Sequence, residues 1–262
     1  MKNYLIFSLV LIIAFGCGQK ELGQGFNLFT VEQDKELGAQ VAQEIANQPN
    51  EYPVLDSAKY AKAYQILYRM RDDILNAGNV RYKDEFKWQL KIINDDETLN
   101  AFCTPGGYIY VYTGLIKYLD AEDQLIGVLG HEIAHADFRH STRQMTRMVG
   151  VSVLVNAITG NSEALAQVTT ALIGLRFSRN HETEADIGSV HYLCPTDYNA
   201  AGGAEFFRKL EEMGGGRPPE FLSTHPNPTD RIETFYTEKL ERGCGGENRY
   251  EERYREFIAA LP

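Results

Sequence analysis

With four cysteines, nine prolines and a single tryptophan in 262 residues, the chain is poor in the residues that mark several classes of protein. So few thiols exclude a bare disulfide scaffold, and 23 glycines with nine prolines exclude collagen-like and low-complexity chains. Basic residues are also short, 26 Lys and Arg against 36 Asp and Glu, for a net charge of −10. A chain this acidic lacks the basic stripe that neutralises phosphates, so no nucleic acid is expected as a partner. No apolar run reaches the roughly 20 residues that a membrane-spanning helix needs. Residues 148–158 and 164–175 come nearest, but Asn156, Gly160, Asn161, Glu163 and Gln167 interrupt them, and they read as a helical hairpin on the domain. What is present, 44% hydrophobic and 24% charged residues, has globular proportions and enough length for a sizeable core.

The N-terminus carries its own signal. Lys2 precedes a 13-residue apolar run from Tyr4 to Gly16, too short to span a bilayer but suited to a signal peptide. The run ends in Ala14-Phe15-Gly16-Cys17, which resembles a bacterial lipobox, so Cys17 is the expected lipid attachment. Residues 1–17 are therefore read as a signal peptide, 18–30 as a tether and 31–262 as the functional domain. The expected location is the bacterial periplasm, on a lipid anchor in the membrane. Gly18, not an acidic residue, follows Cys17 and favours the outer membrane. Disulfides persist in such a compartment. Cys194 and Cys244 are then a candidate bridge, with the unbridged pair as the alternative, and Cys103 a buried thiol.

The apolar spacing predicts helices over 31–46 and 57–76. Alternation at Phe86, Trp88, Leu90 and Ile92 predicts a strand; two more follow at 100–103 and 108–112, separated by the turn Thr104-Pro105-Gly106-Gly107. Asp120 is the expected N-cap of a helix over 121–142, and a short charged helix is expected over 248–258. The expected fold is α+β but mainly α, with a small antiparallel sheet beside the helix over 121–142.

That helix contains His131-Glu132-Ile133-Ala134-His135. Histidines at i and i+4 share a helix face and can converge on one cation, while the glutamate between them serves as general base for a water on the metal. Chance supplies such a pattern in a chain of this length about once in a hundred. A catalytic zinc needs a third protein ligand. The HExxHxxGxxH route is closed, because Phe138 and Ser141 stand where Gly and His are required and His140 is one residue off. The second helix Ser178-Arg179-Asn180-His181-Glu182-Thr183-Glu184-Ala185-Asp186 offers Glu182 as that ligand. Asp186, one turn on, would orient a ligand imidazole. Glu184 is read as solvated or salt-bridged, and His181 and Arg179 as surface residues.

These blocks together resemble metallopeptidase family 48, which includes the HtpX-like and prenyl-protein (CAAX) peptidases and periplasmic quality-control peptidases. The resemblance rests on HEIAH, SRNHETEAD some fifty residues on, His225-Pro226-Asn227-Pro228-Thr229-Asp230-Arg231-Ile232, and Asn100-Ala101-Phe102 and Pro105-Gly106-Gly107 ahead of the active helix. It implies a zincin-like (gluzincin) fold, one Zn2+ per chain on His131, His135 and Glu182, and Glu132 as base. It further implies that His225 either stabilises the transition state or caps the metal in a latent form. Arg231 is read as a structural ion-pair partner. The strand through Gly107, Tyr108, Tyr110 and Tyr112 is expected to offer an outer edge to an extended polypeptide substrate. The expected function is zinc-dependent hydrolysis of misfolded or misassembled envelope proteins. The alternative is a largely latent, chaperone-like assembly factor that keeps the zinc site.

Overall fold

The computed structural model describes residues 22–148, 156–157, 159, 161–212, 220–226 and 230–262. The expected signal peptide with Cys17, and most of the first arm of the expected hairpin, lie outside the described residues.

Two helices open the fold, α1 (Val31–Ala46) and α2 (Ala61–Ala77). Thr30 and Gln33 close α1 with a reciprocal capping box, so the chain enters it with two orphan amides satisfied. Three strands follow: β1 (Gln89–Ile93), β2 (Ala101–Thr104) and β3 (Tyr108–Tyr112). The rest of the described chain is helical: α3 (Thr113–Tyr118), α4 (Glu122–Asp137), α5 (His140–Met148), α6 (Ser162–Ile173), α7 (Arg179–Leu193), α8 (Gly203–Glu212), α9 (Glu220–Thr224), α10 (Arg231–Arg242) and α11 (Glu251–Ile258). None of these helices is long and apolar enough to cross a membrane.

The sheet order is β1-β3-β2. β2 and β3 form the expected antiparallel hairpin, Ala101 opposite Val111 and Cys103 opposite Ile109. Its turn needs glycine, since Gly106 and Gly107 have φ of 76° and 85°. β1, however, lies parallel to β3, with Leu90 opposite Ile109, so the sheet is mixed and not antiparallel throughout. This also overturns the edge-strand expectation. β3 is the central strand, its two hydrogen-bonding edges taken by β1 and β2, so Gly107, Tyr108, Tyr110 and Tyr112 offer no free edge to a peptide. β1 begins only at Gln89, because Trp88 turns the backbone to φ 45°.

The centre of the molecule is α4, all 16 residues of which are buried. It lies against β2 on one side and against α7 and α8 on others. Such coverage makes it a core helix. At Gly130 α4 and α7 touch: a Cβ there would stand 2.7 Å from Ser189 Oγ, which donates to Gly127 O at 2.7 Å. The N-cap of α4 is Ala121, not Asp120, whose carboxylate pairs with Lys209 instead. Nor does the helix run on to residue 142. It stops at Asp137, and Arg139, at φ 57°, turns the chain into α5. The Arg139 side chain holds the corner by bonding Asp34 and the Phe29 carbonyl. The described part of the expected tether is docked, not free: Asn27 Nδ2 donates to Thr142 Oγ1 at 2.9 Å and Leu28 N to Thr146 Oγ1 at 3.3 Å. Cys194 and Cys244 are joined as a disulfide and Cys103 is a buried free thiol.

Candidate metal centre

His131, Glu132 and His135 are presented by α4, Glu182 and Asp186 by the first two turns of α7, His225 by the residue after α9, and Arg231 by the first residue of α10. The start of α7 is fixed by Ser178, whose hydroxyl accepts from His181 N. All seven side chains are buried. One donor atom from each of His131, His135, Glu182 and His225 lies within 4.8 Å of all the others.

The spacings suit a small tetrahedral cation, which at Zn–N and Zn–O distances of about 2.0–2.1 Å sets its ligand atoms about 3.3–3.4 Å apart. His131 Nε2 is 3.5 Å from Glu182 Oε2, His135 Nε2 is 3.4 Å from Glu182 Oε1, and the two Nε2 atoms are 2.9 Å apart. His225 Nδ1 stands 3.3 Å from His131 Nε2 and 3.1 Å from Glu182 Oε1. The donor chemistry fits as well. Asp186 Oδ1 is 2.9 Å from His131 Nδ1, so that nitrogen carries the proton and Nε2 is left bare toward the cluster. Glu182 Oε2 is ion-paired with Arg231 at 3.0 Å without a formed hydrogen bond. The two carboxylate oxygens face the ring nitrogens of His131 and His135, a donor set of one anion and neutral imidazoles that suits a divalent cation.

The electrostatics agree. Burial disfavours an imidazolium at His131, yet the Asp186 and Glu182 carboxylates outweigh it and lift its pKa to about 9. Burial and then the neighbouring His131 push His135 well below 6.5. Burial alone would raise Glu182, but His225, Arg231 and the two α4 histidines hold it well below the usual carboxylate range. The carboxylates of Asp186 and Glu182 thus favour positive charge at the His131 ring. Glu132 differs. Burial pushes its pKa up, it stands 3.5 Å from His225 Nε2, and the buried Cys103 thiol lies against it.

Arg231 grips Asp186 with two contacts of 2.7 Å, Nε to Oδ2 and Nη2 to Oδ1, and reaches Glu182 Oε2 at 3.0 Å, its guanidinium 3.8 Å from the Phe207 ring centre. Its ion pairing is therefore to the site itself. Aromatic rings fix the imidazoles: Phe177 stacks on His135 at 4.0 Å and Phe221 on His225 at 4.2 Å. Glu184 is paired with Arg143 at 3.4 Å. His181 is not on the surface; it is buried, its ring stacked on that of His140 at 4.4 Å. The sequence reading missed His140, set aside for its spacing, and the aromatic walls, for which single-residue patterns carry no signal.

Residues 61–239 match the family model Peptidase family M48. The chain is 25% identical over 221 residues to Mitochondrial metalloendopeptidase OMA1 of Arabidopsis thaliana, covering 84% of this chain and 44% of that protein. To Beta-barrel assembly-enhancing protease of Escherichia coli it is 32% identical over 157 residues, 54% of this chain and 32% of that one. To Metalloprotease YcaL of Escherichia coli it is 26% identical over 185 residues, 68% and 69% respectively. The chain thus spans less than half the length of the first two of these relatives. With the matched region containing α4, α7 and His225, and covering well over half of the sequence, the chain belongs to peptidase family M48.

Proposed function

We propose that the protein is a zinc-dependent endopeptidase of the bacterial envelope, acting on misfolded or misassembled proteins presented as extended chain. The observation that carries the reading is the buried convergence of His131, His135 and Glu182, with Glu132 alongside. The name Beta-barrel assembly-enhancing protease supports an envelope substrate, and the signal-like N-terminus supports export with a lipid on Cys17.

His131, His135 and Glu182 would hold one zinc, which when bound polarises the scissile carbonyl and acidifies an attacking water. Glu132, its pKa raised by burial, takes that water's proton and passes it to the leaving amine. Asp186, gripped by Arg231, keeps the His131 ring turned to the centre. His225 would donate to the oxyanion that develops on the carbonyl. With β3 enclosed, the edge that no described strand pairs is that of β2, and an extended substrate would pair there. Tyr112 N bonds Asn100 O, so alternation along the ladder directs the main-chain groups of Ala101 and Cys103 away from β3.

One observation favours the second reading, a largely latent, chaperone-like factor. His225 Nδ1 lies as near Glu182 and His131 as a fourth ligand would, in the position a substrate needs. In that reading cleavage waits on withdrawal of His225. Incubation with unfolded casein separates the two. Cleavage blocked by a chelator, restored by zinc and lost in Glu132→Gln supports the peptidase. Suppressed casein aggregation with no cleavage by the wild type, and cleavage gained in a His225→Ala variant, overturns it in favour of the latent factor.

A further inference from the structure

His131 has an evident partner on its outer nitrogen, the Asp186 carboxylate; His135 has none of that kind within its own turn or on the facing turn of α7. The corner after α4 supplies one from elsewhere. In an unbroken helix residue 140 would stand about 140° round from residue 135 and face away from it. Because Arg139 takes the left-handed conformation, α5 turns back and brings His140 Nδ1 to 2.9 Å from His135 Nδ1. On its other side His140 Nε2 lies 3.1 Å from Glu184 Oε2. Both imidazoles are fully buried. His181 stacks on His140 with an interplanar angle of 11°, and Phe177 on His135 at 26°, so neither ring is free to turn.

The contacts of Glu184 decide where the protons are. Gly23 N–H donates to its Oε2 at 3.1 Å, and Arg143 Nη1 approaches the same oxygen at 3.4 Å. Arg143 is itself held by donating from Nη2 to the Gln24 carbonyl at 2.7 Å. Surrounded by donors, Glu184 acts as an acceptor, so His140 carries its hydrogen on Nε2 and leaves Nδ1 bare. A bare His140 Nδ1 at 2.9 Å must accept from His135, which places the His135 hydrogen on Nδ1. His135 Nε2 then turns an unshared pair toward His131 Nε2 and Glu182.

We propose that Glu184 and His140 form an orienting relay for His135, the two-step counterpart of the direct Asp186–His131 contact. Both are positioning residues: they fix the tautomer and the ring plane of a ligand and touch no substrate. The proposal rests on the reading of His131, His135 and Glu182 as the zinc ligands. It also gives a role to the docked segment 22–25, whose Gly23 amide and Gln24 carbonyl hold the outer end of the relay.

The test uses the full-length protein, zinc alone as the probe, and two readouts: the zinc dissociation constant by chelator competition, and the melting temperature with and without zinc. His140→Phe keeps a flat ring but accepts no hydrogen bond. His140→Asn puts an amide oxygen close to where Nδ1 stood. Glu184→Leu removes the outer acceptor. Loss of an outer-shell partner weakens metal binding about 10- to 100-fold. That loss is expected for His140→Phe and Glu184→Leu, with a smaller rise in melting temperature on adding zinc, and His140→Asn should recover most of the affinity. A purely structural role predicts instead an equal fall in melting temperature with and without zinc, at unchanged zinc affinity. That result, or a His140→Asn variant that melts like the wild type without zinc yet binds zinc as weakly as His140→Phe, overturns the relay. Failure of the wild type itself to bind zinc would instead remove the metal-centre reading on which the relay stands.

Discussion

Replacing Cys194 and Cys244 together by alanine cuts the covalent link between the far ends of α7 and α10. The two helices run side by side in the same direction, as the successive contacts Asp186–Arg231, His191–Glu238 and Cys194–Cys244 show. The candidate metal centre sits at their N-terminal ends and the disulfide at their C-terminal ends, 12 residues or about 18 Å of helix from Glu182 to Cys194. The bond closes a loop with a sequence separation of 50. In the chain-entropy description, freeing such a loop in the unfolded state costs the native state about 4 kcal/mol at 25 °C. The same distance isolates the chemistry. With α7 and α10 still held by the buried Arg231–Asp186 pair and the His191–Glu238 contact of 2.6 Å, the ligand geometry has no reason to change. Equilibrium unfolding in guanidinium chloride should show the loss of about 4 kcal/mol, with zinc affinity and casein cleavage unaltered while the variant is folded. A loss below about 1 kcal/mol would mean that the loop is already constrained when unfolded. A parallel fall in zinc affinity would refute the separation of the stabilising bond from the site.

Three further expectations come from single side chains. Glu132→Gln keeps the shape and removes the base, so casein cleavage should drop about 10²- to 10⁴-fold with zinc content unchanged; equal cleavage would remove Glu132 from the mechanism. Asp186→Asn weakens the hold on His131 and should lower zinc affinity about 10- to 100-fold by chelator competition, an unchanged affinity counting against its orienting role. Asp123, at the start of α4, has its pKa lifted by burial from 3.8 to about 6. Between those pH values the folded protein binds more protons than the unfolded one, so native stability falls as pH rises, by an amount on the order of 3 kcal/mol. Asp123→Asn carries no such cost. Its melting temperature should exceed that of the wild type at pH 7 and converge on it toward pH 4, and a difference independent of pH would contradict the assignment.

The chemistry of the site was legible because it is written in helical spacing. His131 with His135, and Glu182 with Asp186, are i,i+4 pairs that share a face wherever the helices go. The hairpin of β2 and β3 was legible for a similar reason, since Pro105-Gly106-Gly107 marks its turn locally. The direction of β1 was not. It joins the sheet across the far side of β3, through bonds such as Gln89 N to Gly107 O, and no local pattern records which strand a neighbour will choose. The break at Arg139 was hidden because the apolar pattern continues through Phe138, while the positive φ at Arg139 is imposed by tertiary bonds to Asp34 and Phe29. With that break unseen, His140 counted only as one residue off the HExxHxxGxxH spacing, and its stacking partner His181 passed for a surface residue.

Elemental analysis of protein isolated without chelators tests the central claim most directly, comparing the wild type with a folded Glu182→Ala variant. The account predicts one zinc per wild-type chain and a marked loss in the variant, since Glu182 contributes the carboxylate that joins α7 to the two histidines of α4. A wild-type chain free of transition metal, or a variant that retains a full equivalent, would contradict it.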